Sequence, residues 1–166
     1  GEDSTLIPGT KGISETKYYK TGNDVYNDVI ASYDDFAKTK SLKGPVINNS
    51  IIDNYYFIRS TSKGSTIGLM QVYVSEAGEK GYLRAVDKEG DSLNFINISN
   101  DGPEWGTQQH FAVEFNYDYL NARRKAGLAF RNYTNKEGEH LDIEIPGFYI
   151  DGFLRKLDQE LKGDGK

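Results

Sequence analysis

Asn54 to Ser75 reads NYYFIRSTSKGSTIGLMQVYVS, and the fold class turns on its period of two. Tyr55-Tyr56-Phe57-Ile58 is a short aromatic and β-branched run, followed by the turn-forming string Ser60-Thr61-Ser62-Lys63-Gly64. From Thr66 to Ser75, Ile67, Leu69 and Tyr73 fall on one face of an extended chain, and Met70, Val72 and Val74 on the other. Apolar side chains on both faces predict a central strand. Its predicted partner begins at Gly81-Tyr82-Leu83.

Toward the N-terminus the period changes. Between Asn23 and Lys40 the residues Val25, Tyr26, Val29, Ile30, Tyr33, Phe36 and Ala37 make one stripe at helical spacing. Thr21 or Asn23 can cap the start, and Gly44-Pro45 stops any continuation, so the spacing predicts an amphipathic helix over 23–40. Residues 1–16 are polar, contain Gly and Pro, and read as a flexible leader. The chain opens at Gly1 without an initiator methionine, which predicts an export or lipoprotein leader removed upstream, with a trimmed cytoplasmic protein as the alternative.

Toward the C-terminus, Asp87-Lys88-Glu89-Gly90-Asp91 and Asn135-Lys136-Glu137-Gly138-Glu139 share one turn chemistry: a side chain that bonds the turn backbone, then Gly at positive φ. Phe111, Val113, Phe115, Tyr117 and Tyr119 alternate with Ala112, Glu114, Asn116 and Asp118 as a half-buried strand would. Residues 120–129 fit a turn or a short helix. Asp151 is placed to cap a short helix carrying Phe153, Leu154, Leu157 and Leu161, and 162–166 read as a tail. The expectation is a single α+β domain over 17–161: an N-terminal helix, about six or seven antiparallel strands and a C-terminal helix. The sheet either curls around the first helix or carries both helices on one face.

With 166 residues the chain has room for one domain. Its net charge of −5 argues against a nucleic-acid footprint, and no apolar run reaches the length of a membrane helix. Absence of cysteine excludes disulfides, thiolate metal sites and a Cys nucleophile.

Candidate chemistry is sparse. His110 and His140 each lie near a glutamate (Glu114, Glu139), but no metal-ligand spacing joins them, so no metal and no cofactor is expected. Asp87, Glu89 and Asp91 alternate as in a calcium loop, yet position twelve is Ile98 where a bidentate Glu belongs. Arg123-Arg124-Lys125 is a small basic patch. Sequons at Asn48, Asn97 and Asn132 mark glycosylation only in a secreted eukaryotic protein. The oddity is the aromatic load: twelve Tyr, eight Phe and one Trp. Phe36, Phe57, Phe95, Phe111, Phe115 and Phe130 are expected in the core. Trp105, in a Gly/Pro loop, either plugs the end of that core or anchors a partner, and the plug is the preferred reading. Binding candidates are therefore Trp105, Tyr117, Tyr119, His110, Arg123 and Arg124.

The cadence from Asn54 to Phe95, and the string Asn116-Tyr117-Asp118-Tyr119-Leu120 followed by Lys125-Ala126-Gly127, is similar to the N-terminal half of ribosome-inactivating N-glycosidases. That resemblance implies a base-stacking role for Tyr117. The family's Glu-x-x-Arg pair has no match, since Glu79 stands where the Arg after Glu76 would be. The expected function is a non-catalytic, exported, bacterial binding protein (inhibitor, immunity-type or surface lipoprotein domain) that engages a protein partner, with no nucleic acid. The alternative is a small-ligand module or enzyme whose pocket, on a curved sheet, is lined by Tyr and His.

Overall fold

The computed structural model describes residues 7–10, 16–49, 54–78, 80–101 and 108–164. Twelve strands and three helices occupy them, in the order β1 (Ile7–Thr10), β2 (Thr16–Tyr19), α1 (Gly22–Asp28), β3 (Ile30–Asp34), β4 (Thr39–Lys43), β5 (Val46–Asn49), β6 (Asn54–Lys63), β7 (Thr66–Ala77), β8 (Arg84–Asp87), β9 (Ser92–Asp101), β10 (Gln108–Phe115), α2 (Tyr117–Asn121), β11 (Leu128–Tyr133), β12 (His140–Ile145) and α3 (Gly147–Asp164). The fold is α+β, as expected, but with more strands than the six or seven anticipated.

The strands pair antiparallel in the order β12-β11-β8-β9-β10-β7-β6-β5-β1-β2, with β4 also on β6 and β3 on β4. One edge of the long β6 thus carries both β5 and β4, and the interruption falls at Gly44-Pro45. Pro45 has no N–H for a ladder. Its carbonyl instead accepts from the Tyr149 hydroxyl at 2.7 Å, and that hydroxyl accepts from Ile58 N–H at 3.3 Å. The sheet curls so that strands far apart in its order approach: the Tyr56 hydroxyl in β6 donates to the Glu144 carbonyl in the edge strand β12.

Helix α3 fills the inside of the curl. It starts directly behind Pro146, whose carbonyl accepts from Tyr149 and Ile150 N–H. Tyr149, Ile150, Phe153, Leu154 and Leu157 are fully buried on one stripe, in one cluster with Met70, Val72 and Val74 of β7 and Phe111, Val113 and Phe115 of β10. Full burial contributes roughly 1.5–3 kcal/mol per large apolar side chain, so this stripe holds the sheet in its curl. Helix α1 crosses α3 at Gly152, where a Cβ would stand 2.3 Å from the Gly22 carbonyl and 2.8 Å from Val25 Cβ.

Several expectations are corrected. The helix expected over 23–40 ends at Asp28, and 30–43 is a β-hairpin instead. It is the C-terminal helix, not the first, that the sheet wraps. Phe36, expected in the core, is wholly exposed in the β3–β4 turn. The sheet neighbours of β7 are β6 and β10, not the segment from Gly81. The alternation from Phe111 stops at Phe115, where Asn116 caps α2 by accepting from Tyr119 N–H at 2.8 Å. Residues 117–121 are helical and a turn follows to Gly127. Helix α3 begins at Gly147, so Asp151 lies within it, and it continues through Lys162 to Asp164 in the expected tail. Residues 7–10 of the expected leader pair with β2 and β5. Both glycine turns form as expected, with φ of +88° at Gly90 and +82° at Gly138.

Candidate functional site

The residues singled out from sequence do not form one site: Arg124 meets Tyr117, its guanidinium donating to the hydroxyl at 3.2 Å, and Arg123 meets Tyr119, while His110 stands apart on β10. Trp105 lies outside the described residues. The Tyr117 hydroxyl donates to Asp158 of α3 at 3.1 Å, and Arg124 reaches Asp151 at 3.2 Å and Asp158 at 3.4 Å. Both side chains pin α2 and its following turn to α3. The base-stacking position implied for Tyr117 is therefore a helix contact. Tyr119 donates to Asp87 at 2.9 Å, and the Arg123 guanidinium lies 3.4 Å from the centre of the Tyr119 ring, which ties α2 to the β8–β9 turn. Burial pushes the Asp87 carboxyl up, but the N–H groups of Asp91 and Glu89 and the Tyr119 hydroxyl outweigh it and hold the group below its ordinary value.

His110 stands on the outer face of β10, 8% exposed, with Nδ1 2.8 Å from the Tyr73 hydroxyl. His140 lies on β12 beside Asp142, with three strands between it and β10 in the sheet order β12-β11-β8-β9-β10. Among the described residues no group of three or more acidic or histidine side chains is placed to hold a metal.

What the fold does assemble is the outer face of the sheet. Strand register lines up Ile30 (β3), Lys43 (β4), Arg59 (β6), Gln71 (β7), Glu114 (β10) and Asn94 (β9) in one row across six strands. Arg59 Nε donates to Gln71 at 2.8 Å, Gln71 donates to Glu114 at 3.1 Å, and Asn94 donates to the other Glu114 oxygen. The neighbouring row holds Phe57 and Tyr73, with ring centroids 5.1 Å apart. Lys43 Nζ lies 4.7 Å from the Phe57 centroid, and the Arg59 guanidinium 4.7 Å from that of Tyr73. Beyond this row, Tyr55 and His110 flank Tyr73. A groove of about 560 Å³ opens over β3, β4 and β6, with Ile30, Ser32, Ser41, Lys43, Arg59 and Thr61 in its lining.

Sequence reasoning missed all of this except His110. The only signal was polar and cationic residues at outward positions of strands, and these join only when the register is known.

A second polar cluster lies inside. Glu76 is 3% exposed and Gln109 3%, at one end of the core. Gln109 bonds both backbone groups of Tyr82 and the Asn97 side chain. The Tyr82 hydroxyl donates to Glu76, whose other oxygen (Oε2) has no partner. Burial pushes the Glu76 carboxyl above its ordinary value, and the Tyr82 hydrogen bond and Lys80 only partly offset it. No protein-family model, curated protein or solved structure matches this chain.

Proposed function

We propose that this is a non-catalytic binding protein that engages a protein partner by taking an extended segment of that partner beside β3. One observation carries the reading: all five residues of β3 are exposed, and among the described strands β3 pairs with β4 alone. Ile30 is 65% exposed and Tyr33 57%. An edge strand presents a row of unpaired N–H and C=O groups, and soluble proteins ordinarily guard such edges with lysine, proline, a bulge or a covering loop. Ile30-Ala31-Ser32-Tyr33 has no charge and no proline, and its pairing to β4 runs without a register shift. Strand addition would satisfy those backbone groups and cover both apolar side chains. The alternative, a Tyr/His-lined pocket on the concave side, has less support, because α3 side chains fill that side.

The test is capture from the native host by the parent chain and by the Ile30→Glu/Tyr33→Glu double variant. Both side chains are exposed, so the variant should melt within a degree or two of the parent. It should lose the captured protein. Equal capture by both chains overturns the reading. So does concentration-dependent self-association that the variant abolishes, since the occupant of β3 would then be a second copy.

A further inference from the structure

We propose that the outer-face groove over Lys43 and Arg59 is a binding site for a small organic anion, a carboxylate or phosphate monoester with an apolar body. The argument starts from a conflict in the sheet. Lys43 and Arg59 sit directly opposite one another on antiparallel strands, and like charges in that position repel. Neither has an acidic partner among the described residues. The nearest carboxylate along the row, Glu114, is separated from Arg59 by Gln71 and has both oxygens engaged, one by Gln71 and one by Asn94. Gln71 therefore holds Arg59 in place through Nε without neutralising it, and both terminal guanidinium nitrogens stay available.

Phe57 and Tyr73 lie under the two cations and hold them against the sheet, which offsets part of the repulsion but supplies no counter-charge. The groove that Lys43, Arg59 and Phe57 help to line is of small-molecule size at about 560 Å³. Ser41 and Thr61, cross-strand partners in its lining, have their hydroxyl oxygens 3.4 Å apart. Only one of two such hydroxyls donates to the other, so at least one O–H remains for a ligand. Ile30, at the open end of the groove, offers an apolar wall. An anion seated here would take the Lys43 ammonium and the Arg59 fork together, with its body on Ile30. The inference rests on the charge row and not on strand addition at β3.

The experiment is an amide-resolved NMR titration of the full chain, at low salt, with 3-phenylpropionate, phenyl phosphate and inorganic phosphate. One or both aromatic anions should give saturable shifts confined to β3, β4, the adjoining part of β6 and Gln71. Lys43→Gln and Arg59→Gln should each weaken binding by about tenfold. Lys43→Glu separates binding from folding. It puts an acid opposite Arg59, so its melting temperature should hold or rise while binding is lost. Absence of saturable shifts, shifts centred elsewhere, or undiminished binding by Lys43→Glu overturns the proposal. Inorganic phosphate binding as tightly as phenyl phosphate overturns its apolar component.

Discussion

At Glu76 charge and burial are in direct conflict. The side chain is 3% exposed, one carboxylate oxygen has no partner among the described residues, and the cation paired with it there is Lys80, 3.8 Å away on a half-exposed stem. Burial raises its pKa in the folded state, so folding favours the protonated acid. The sign follows from linkage: the stabilising contribution is fully present below the unfolded-state value near 4.5 and is lost as pH rises through the elevated folded value. At neutral pH the ionised side chain therefore opposes folding. Glutamine keeps the shape and can still accept from Tyr82 while removing the charge. Glu76→Gln should stabilise the protein at pH 7 by about 1 kcal/mol, and the gap should close on acidification toward pH 4.5. Melting temperatures of parent and variant across that range check it. A variant less stable than the parent at pH 7 would mean that Glu76 is compensated there.

The β3–β4 hairpin shows where the sequence could be read and where it could not. In the stripe over 23–40 the first half is genuine: Thr21 and Asp24 form a capping box, and Val25 and Val29 are buried. Beyond Val29 the same spacing continues by coincidence, with Ile30, Tyr33 and Phe36 all facing solvent. Periodicity registers which residues share a face but not whether a partner covers that face. The breaker is local: Asp34 accepts from Phe36 and Ala37 N–H at 3.0 and 3.1 Å, an Asx turn that ends the strand. The turns at Gly90 and Gly138 and the apolar stripe of α3 were legible, because a turn glycine at positive φ and Phe153, Leu154, Leu157 and Leu161 at helical spacing each point to one structure, although α3 starts at Gly147 and not behind an Asp151 cap. Lys38, with φ of +58°, is the only non-glycine residue at positive φ among those described. Its ion pair with Asp35 is exposed on both sides and contributes little. Lys38→Gly removes the Cβ conflict and should stabilise the hairpin by about 0.5–1 kcal/mol, raising Tm by roughly 2 °C. A lower Tm in a thermal melt would show that the turn depends on the lysine side chain.

At the scale of the whole molecule, at least five of the twelve tyrosines bridge separate elements through their hydroxyls. Tyr149 joins α3 to the β4–β5 corner and to β6, Tyr56 joins β6 to β12, Tyr19 joins β2 to α1, Tyr119 joins α2 to β8, and Tyr117 joins α2 to α3. Composition suggested an aromatic binding surface. In the fold these phenols act instead as cross-links, each with an apolar ring in or against the core and a hydroxyl on another element. The outer row of Lys43, Arg59, Gln71 and Glu114 was illegible for the converse reason: those residues are commonplace singly, and their meaning depends on the pairing of six strands. The cross-links make a prediction for alkaline pH. Burial is the first cause raising the hydroxyls of Tyr19, Tyr56, Tyr82, Tyr117, Tyr119 and Tyr149, with Tyr56 pushed up to about 12. Because the folded values lie above the ordinary 10.0, their stabilising contribution is complete below pH 10 and is lost as pH rises beyond it. At about pH 11 the native chain should therefore show fewer tyrosinates by ultraviolet absorbance than its twelve tyrosines, and the remainder should ionise together with the loss of far-ultraviolet circular dichroism. Reversible ionisation of all twelve with the dichroism intact would show that these hydroxyls do not hold the curled sheet around α3.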